Sequence, residues 1–161
     1  MENPVVYLDS MVFIYAVEGD IDTAPSAREM LAVLRRRPGV ALTSELSLAE
    51  VLAPTDRDRG PEQDRAPKHI PLHLRTRLYS DLMISSDFLA LAPVTRDILL
   101  ETANIRGTKP HKLPDAIHLA TALRTGCTFF VSADRRIRTP ASMTKLAPDA
   151  VGIARLMEAI H

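Results

Sequence analysis

Two aspartates come just after short runs of bulky apolar residues, each run predicting a strand buried on both faces. Asp9 follows residues 5–8, and Asp134 follows residues 128–131 after a two-residue gap. In open parallel sheets, ligands bind in the crevice beyond the carboxyl ends of the strands. Both carboxylates are therefore expected to face one crevice, although either aspartate alone would also suit a turn or a helix cap.

Two further acids are predicted to lie on helices. Glu50 has apolar neighbours on both sides within residues 48–52, which favours partial burial of a carboxylate that is costly to bury unpaired. The alternative is that Glu50 faces water on an amphipathic helix. Asp115 follows Pro114 at the predicted start of another helix, where proline fits the first turn and an acid interacts favourably with the helix dipole. That position is explained without any function.

The four acids predict metal chemistry if the fold brings them together. Closely placed carboxylates repel one another unless protons or cations compensate the charge. Ligand sets made only of oxygen suit Mg²⁺ or Mn²⁺, whereas zinc favours histidine or cysteine. A divalent ion in such a site can activate water and neutralise charge that develops on a phosphodiester. The hypothesis is therefore metal-dependent phosphodiester hydrolysis.

Strands and helices alternate along the chain, which predicts an α/β fold with three layers and a mainly parallel sheet of four or five strands. Strands are predicted over residues 5–8, 40–43, 88–91, 128–131 and 144–146. Helices are predicted over residues 11–17, 23–37, 44–53, 72–84, 95–106, 114–124 and 150–160. Apolar positions 74, 78 and 82 define the expected buried stripe of the fourth helix, and positions 98, 99 and 103 that of the fifth.

Residues 54–71 interrupt this alternation. Four prolines, one glycine and many charges without apolar periodicity predict an exposed loop or insert, too short to form a domain. A length of 161 residues with 46% apolar content supports one core, so residues 1–161 are expected to form a single domain.

Composition excludes several functional classes. Lys plus Arg equals Asp plus Glu at 20 each, so any polyanion must be bound locally rather than through a global positive field. Aromatic content of 4% argues against a base-stacking platform. Cys127 is the only cysteine, which excludes an internal disulfide and a cysteine-based zinc site. Apolar stretches fall short of the ~20 residues of a membrane span, and no secretory signal opens the chain. A cytoplasmic protein without a membrane partner is expected.

Four segments resemble a PIN domain, and in particular the VapC-like toxin ribonucleases of VapBC toxin–antitoxin pairs. They occur in the family's order across nearly the whole chain, and the segment around Asp115 is the most specific. The segments are Val5-Val6-Tyr7-Leu8-Asp9-Ser10, Ser44-Glu45-Leu46-Ser47-Leu48-Ala49-Glu50-Val51-Leu52, Leu113-Pro114-Asp115-Ala116-Ile117-His118-Leu119-Ala120-Thr121-Ala122 and Phe129-Phe130-Val131-Ser132-Ala133-Asp134.

The resemblance implies a role for each acid. Asp9, Glu50 and Asp115 are expected to hold Mg²⁺ or Mn²⁺, Asp134 to complete the site, and the Ser132 hydroxyl to support it. The implied activity is endoribonuclease cleavage that leaves a 3′-hydroxyl and a 5′-phosphate. The implied partners are an RNA substrate, a small antitoxin whose C-terminal segment lies in the acidic cleft, and a second copy of the chain in a homodimer.

The sequence departs from the family's pattern after Asp134. The family often has a further acid or Asn there, but arginines follow at positions 135, 136 and 138. Arg135, Arg136 and Arg138 are candidates for contacts with the RNA backbone, with solvated arginines as the alternative. The missing acid also leaves open a PIN fold that binds RNA or protein without cutting it.

Two further hypotheses concern phosphotransfer at Asp9 and the role of His118. An aspartyl phosphotransferase is disfavoured because Met11 stands two residues after Asp9, where that chemistry usually places a second aspartate. His118 lies three residues after Asp115 and can share its helix face. A packing role or a structural hydrogen bond is expected for His118 rather than general base catalysis.

Overall fold

The computed structural model describes residues 5–59 and 69–160, and its strands form one five-stranded sheet. Every pairing is parallel, in the order β3-β2-β1-β4-β5. This confirms the predicted α/β fold, and the sheet has five strands rather than four. The strands are β1 (Val6–Leu8), β2 (Ala41–Ser44), β3 (Leu89–Ala92), β4 (Phe129–Val131) and β5 (Thr144–Leu146).

Seven of the eight helices in the described residues follow the predicted segments to within a few residues. The helices are α1 (Ser10–Glu18), α2 (Ala24–Arg35), α3 (Leu46–Leu52), α4 (Asp56–Arg59), α5 (Leu72–Met83), α6 (Arg96–Thr108), α7 (Leu113–Arg124) and α8 (Ala150–Ile160). Helix α6 continues through Gly107 to Thr108, two residues beyond its predicted end. Helix α7 is followed by Gly126 at a φ of 72°, a backbone conformation that favours glycine at a helix end. None of the helices in the described residues is both long and apolar enough to cross a membrane.

Helices cover both faces of the sheet, because successive side chains along a strand point to opposite faces. Val6, Leu8 and Val131 lie in the core under α1, α2, α5 and α8. Tyr7 and Phe130 lie in the core on the opposite face, under α7. The bulky runs are thus buried on both sides, as the continuous apolar strands predicted.

The buried faces of two helices differ from the predicted stripes. On α5, Leu74 and Leu78 are 44% and 40% exposed, and the buried residues are Arg75, Tyr79 and Met83. On α6, Leu99 is 48% exposed, and Ile98 and Thr102 are buried. The prediction failed because it treated apolar residues as the buried ones, whereas an arginine and a threonine that find hydrogen-bond partners can be buried instead.

The predicted exposed loop at residues 54–71 is only partly a loop. Asp56–Arg59 form the short helix α4, and the Asp58 carboxylate lies 2.5 Å from the buried Arg75 guanidinium. The prediction of a fully exposed segment was wrong here, because an ion pair with a distant residue holds this part against α5. Residues 60–68 lie outside the described residues.

The order of the strands creates a topological switch point beside β1. The chain runs from β1 outward through β2 to β3, then returns to pair β4 with the other edge of β1. Loops after β1 and β4 therefore leave the sheet in opposite directions and open a crevice between them, where ligands of such sheets bind. Asp9 and Ser132 are the first residues beyond these two strands.

Candidate functional site

Asp9 is held at the carboxyl end of β1. Its backbone N–H donates to the Val131 carbonyl of β4 at 3.0 Å, and its side chain is buried. Asp9 is the N-cap residue of α1, but its carboxylate makes no capping hydrogen bond. The carboxylate instead accepts from the Ser132 hydroxyl at 2.7 Å and the Ser10 hydroxyl at 3.4 Å. The helix-cap explanation of Asp9 is therefore wrong.

Ser132 connects the two strand-end aspartates. It donates its hydroxyl to Asp9 and accepts the backbone N–H of Asp134 at 3.1 Å. Because Ser132 is buried, these two hydrogen bonds restrict the positions of Asp9 and Asp134. The resemblance implied that this hydroxyl supports the site, and that role stays a prediction.

The Asp134 carboxylate is held by Arg136. The guanidinium donates through Nε at 3.0 Å and through a terminal nitrogen at 2.8 Å, and the Arg136 backbone N–H donates at 2.9 Å. The side-chain bonds from Arg136, followed by its backbone bond, lower the pKa of Asp134 to about 2. Asp134 thus combines a turn role with a position beside Asp9 and Asp115.

The arginines after β4 differ in their contacts. Arg136 is the one whose guanidinium pairs with Asp134, although 73% of its side chain is exposed. Arg138 donates its backbone N–H to the His111 imidazole at 3.4 Å. Lys145, which sequence reasoning missed, donates its ammonium to the backbone carbonyls of Asp134 and Ile137. Lys145 therefore fixes the loop that carries Asp134.

Asp115 lies in the first turn of α7 and faces the other acids. Its pKa is raised, first by burial and then by the negative charges of Asp9 and Asp134. His118 and Arg136 lower it by less. A helix dipole alone would lower the pKa of an acid at this position. The raised pKa therefore reflects the burial of Asp115 and, after it, the approach of Asp9 and Asp134, which the capping explanation does not account for.

Glu50 joins this group through His118. The side chain of Glu50 is 28% exposed, and its carboxylate lies 2.8 Å from Nε2 of His118, which is itself 3.7 Å from the Asp9 carboxylate. Burial opposes ionisation of Glu50, but hydrogen bonds from His118 and Ser10 and the His118 charge outweigh it and lower the pKa. The water-facing alternative for Glu50 is wrong. We refer to Asp9, Glu50, Asp115 and Asp134 as the acidic site.

Sequence reasoning missed Tyr7. Its hydroxyl lies 2.6 Å from Nδ1 of His118 and accepts the Ser44 backbone N–H at 3.1 Å. The ring stacks on Phe130 with 5.1 Å between centroids. The strand pattern predicted burial of Tyr7 but not its polar contacts. One signal was available, since side chains two apart in a strand share a face and Tyr7 precedes Asp9 by two.

The acidic site fits a divalent cation in the chemistry of its donors. Its side chains offer oxygen ligands, and the crowding seen at Asp115 is what a hard cation would relieve. Within residues 5–59 and 69–160, however, no three His, Cys, Asp or Glu side chains are spaced to hold one ion together. The Asp134 carboxylate already pairs with Arg136 at 2.8 Å. The assignment of metal ligands stays a prediction.

Comparisons with known proteins place this geometry in a family. The PIN domain model matches residues 6–142. No curated protein matches the chain. Solved structures with the same fold include a toxin–antitoxin complex from Klebsiella pneumoniae, with 19% identity over 89% of this chain and 98% of that chain at a TM-score of 0.60.

Two further structures are similar. VapBC2 from Rickettsia felis, bound to a DNA fragment from its promoter, has 12% identity over 89% of this chain and 98% of that chain, at a TM-score of 0.58. VapC20 from Mycobacterium tuberculosis, described as a sarcin–ricin loop cleaving toxin, has 14% identity over 78% of this chain and 86% of that chain, at a TM-score of 0.57. Identities this low show a shared fold, whereas the family match spans most of the chain. The chain belongs to the PIN domain family.

Proposed function

We propose that this chain is a metal-dependent endoribonuclease and the toxin of a toxin–antitoxin pair. The observation that carries the proposal is the acidic site itself. Its carboxylates come from separate parts of the chain to the switch point of a parallel sheet, and burial, followed by the charges of Asp9 and Asp134, raises the pKa of Asp115. Clusters with such perturbed pKa values are typical of functional sites.

Each residue of the site has its own proposed role. Asp9, Glu50 and Asp115 would hold Mg²⁺ or Mn²⁺, with Asp134 contributing directly or through water. A divalent ion, when bound, supplies activated water and neutralises charge on the phosphodiester. Ser132 orients Asp9 through its 2.7 Å hydrogen bond, so this carboxylate is already in place before a ligand arrives.

RNA is the proposed substrate. VapC20, which shares the fold, is described as a sarcin–ricin loop cleaving toxin. The chain carries no overall charge, so phosphates must be bound by local cations beside the acidic site. Arg135 and Arg138 are exposed there, and Arg136 becomes available if it leaves Asp134. Replacing Arg135 and Arg138 with Gln should weaken RNA binding and reduce the slope of its salt dependence by about one per lost contact.

The proposed partners are a small antitoxin protein and a second copy of the chain. Two of the similar structures are described as a toxin–antitoxin complex and as VapBC2 on promoter DNA. An antitoxin segment with an arginine would suit the acidic site, because a guanidinium binds carboxylates with two parallel hydrogen bonds. We place this pair in the cytoplasm. Co-purification of a short protein with the chain, and the mass of the chain alone by light scattering, test the two partners.

The nuclease proposal is tested with the purified full chain, Mn²⁺ and a mixture of structured and unstructured RNAs. Cleavage should require the metal, stop in excess EDTA and fall to background in Asp9→Asn, which removes charge with little change in size. Asp81→Asn is the matched control, because Asp81 is 65% exposed on α5 and pairs with Arg77. Cleavage that persists in EDTA or in Asp9→Asn would rule the mechanism out.

A second function is favoured by one observation. The Arg136 guanidinium already compensates Asp134, so the chain could be a PIN fold that binds RNA or protein without cutting. Titration with Mn²⁺ separates the two functions. Stoichiometric Mn²⁺ binding without cleavage of any RNA in the mixture would favour the binding module, whereas cleavage that follows metal occupancy supports the nuclease.

A further inference from the structure

We infer that Tyr7 and His118 are positioning residues for Glu50, acting through a chain of hydrogen bonds that is directional from the backbone of β2 to the acidic site. The order is Ser44 N–H, Tyr7 hydroxyl, His118 imidazole, Glu50 carboxylate, with lengths of 3.1, 2.6 and 2.8 Å. This inference rests on the proposed function, because the role that it assigns is to prepare Glu50 for a metal ion.

The donor in each of these hydrogen bonds can be assigned from the groups at the two ends of the series. The Ser44 backbone N–H can only donate, so the Tyr7 oxygen accepts from it. A phenol carries its proton at neutral pH and can donate it to Nδ1 of His118, which lies 2.6 Å away. In the neutral imidazole, Nδ1 is then the acceptor and the proton sits on Nε2, which faces Glu50.

The other neutral tautomer fits the contacts less well. With the proton on Nδ1, the lone pair of Nε2 would face a carboxylate oxygen of Glu50 at 2.8 Å, two acceptors in contact. Tyr7 therefore selects the tautomer of His118 that gives Glu50 a donor. Such an outer partner of a ligating carboxylate fixes its orientation before the metal binds.

Burial separates this arrangement from ordinary core packing. Tyr7 is 0% and His118 1% exposed, and they come from β1 and α7, 111 positions apart. A buried polar group is costly unless its hydrogen bonds are satisfied, and both ring nitrogens of His118 have partners here. His118 also lies 3.7 Å from Asp9, so it sits between two of the predicted metal ligands. An apolar side chain would fill the same space without orienting Glu50.

Two amide substitutions separate positioning from packing. His118→Gln places an amide near the position of Nε2 and can still donate to Glu50, whereas His118→Asn reaches only the position of Nδ1, beside Tyr7. We expect Mn²⁺ affinity, measured calorimetrically on the full chain, to fall by roughly 10–100-fold in His118→Asn and by much less in His118→Gln. With RNA, kcat at limiting Mn²⁺ should follow the same order while KM for RNA stays unchanged.

Thr121→Ala is the matched control for lost stability. Thr121 is buried on the same helix, and its hydroxyl donates to the Ile117 carbonyl of that helix. It should lower the melting temperature without changing Mn²⁺ affinity. A loss of affinity in Thr121→Ala equal to that in His118→Asn would overturn the positioning role, since general destabilisation would then explain both.

The tautomer is tested directly in the metal-free protein by long-range ¹H–¹⁵N spectra of the histidines. We expect the Nε2–H form of His118 in the wild-type chain and a mixture of tautomers in Tyr7→Phe, which keeps the ring on Phe130 but removes the donor. An Nδ1–H form in the wild type overturns the inference, as do equal Mn²⁺ affinities for wild type and His118→Asn. If the wild type binds Mn²⁺ but cuts no RNA, the proposed nuclease fails while these two measurements still decide the role of His118.

Discussion

The chain contains two groups of charged residues drawn together from distant positions, and they differ in whether the arginine that pairs with the acids is buried or exposed. In the first, which we refer to as the Arg75 cluster, the guanidinium of Arg75 is 2% exposed and lies 2.5 Å from Asp58 and 3.5 Å from Glu18. The Tyr79 hydroxyl also donates to Glu18. In the acidic site, four carboxylates meet a histidine and the largely exposed Arg136.

The two groups show opposite electrostatic signatures. The backbone N–H of Thr55 and the Arg75 guanidinium hold the pKa of Asp58 well below its usual range, against the effect of burial. Burial and the charges of Asp9 and Asp134 raise the pKa of Asp115. The Arg75 cluster is therefore arranged to hold α4 against α5, whereas in the acidic site the cations beside Asp134 and Glu50 leave Asp115 with a raised pKa. Uncompensated charge costs stability and suits a ligand that brings the opposite charge.

Neutralising an acid should have the largest effect on function. Asp115→Asn should reduce RNA cleavage by roughly 10²–10³-fold, as expected when a group that helps stabilise developing charge is lost. It should also raise the melting temperature at neutral pH, because it removes a partly buried charge and relieves repulsion from Asp9 and Asp134. Cleavage rates and thermal melts of the same preparation test this, with Asp81→Asn as control. A variant that is both less active and less stable would contradict the comparison.

Removing the cation from the Arg75 cluster should have the largest effect on stability. Arg75→Met keeps an apolar stem but leaves Asp58 and Glu18 without this partner, and the melting temperature should fall by roughly 10 °C. Arg77→Met, two residues away and 81% exposed, is the matched control and should change little. Metal-dependent cleavage by Arg75→Met should survive at temperatures where the variant is folded. Equal melting temperatures for the two variants would show that the Arg75 cluster contributes nothing.

Metal binding should stabilise the chain through the acidic site alone. At 100 times its Kd, a ligand that binds only the folded state stabilises it by about 2.7 kcal/mol, which corresponds to a rise of roughly 5–10 °C for a chain of this size. Melts in Mn²⁺ should show this rise in wild type and in Arg75→Met, and not in Asp9→Asn. A rise retained in Asp9→Asn would place the ion elsewhere.

Asp115 in the acidic site and Asp58 in the Arg75 cluster should respond to pH in opposite directions. Because the pKa of Asp115 is raised on folding, its contribution to stability is present below its ordinary value of 3.8 and is lost as pH rises through the raised pKa. The pKa of Asp58 is lowered, so its contribution is present above 3.8 and is lost as pH falls. In melts from pH 3 to 8, the melting temperature of Asp115→Asn should rise relative to that of wild type as pH rises. A gap that stays constant across this range would remove the evidence for repulsion.

The smallest effect is expected at Arg136. Arg136→Gln breaks an exposed pair, so the melting temperature should change by less than roughly 2 °C. Mn²⁺ affinity should increase by about two- to fivefold, because Asp134 loses a competing cation. Arg138→Gln serves as the control. Lower affinity in Arg136→Gln would indicate that the guanidinium supports the acidic site instead of competing for it.

Local patterns were sufficient for the elements and for part of the acidic site. Continuous apolar runs predicted β1 and β4, and the rule that parallel strands end at one edge predicted that Asp9 and Asp134 would approach each other. The match to the PIN family and the five-stranded parallel sheet confirm the fold. These features depend on backbone geometry and on the burial of a few consecutive residues. A single short segment of the sequence contains the information for both.

Tertiary packing decided which polar side chains are buried and what they touch. Leucines at 74 and 78 predicted the inner face of α5, yet Arg75 is buried there because Asp58 and Glu18 arrive from elsewhere to compensate its charge. Tyr7 contacts His118, which is 111 positions away in the sequence. The residues around either one give no indication of the other. Apolar burial is nearly independent of the partner, whereas a hydrogen bond or ion pair needs a particular atom at about 3 Å, and only the folded chain brings that atom there.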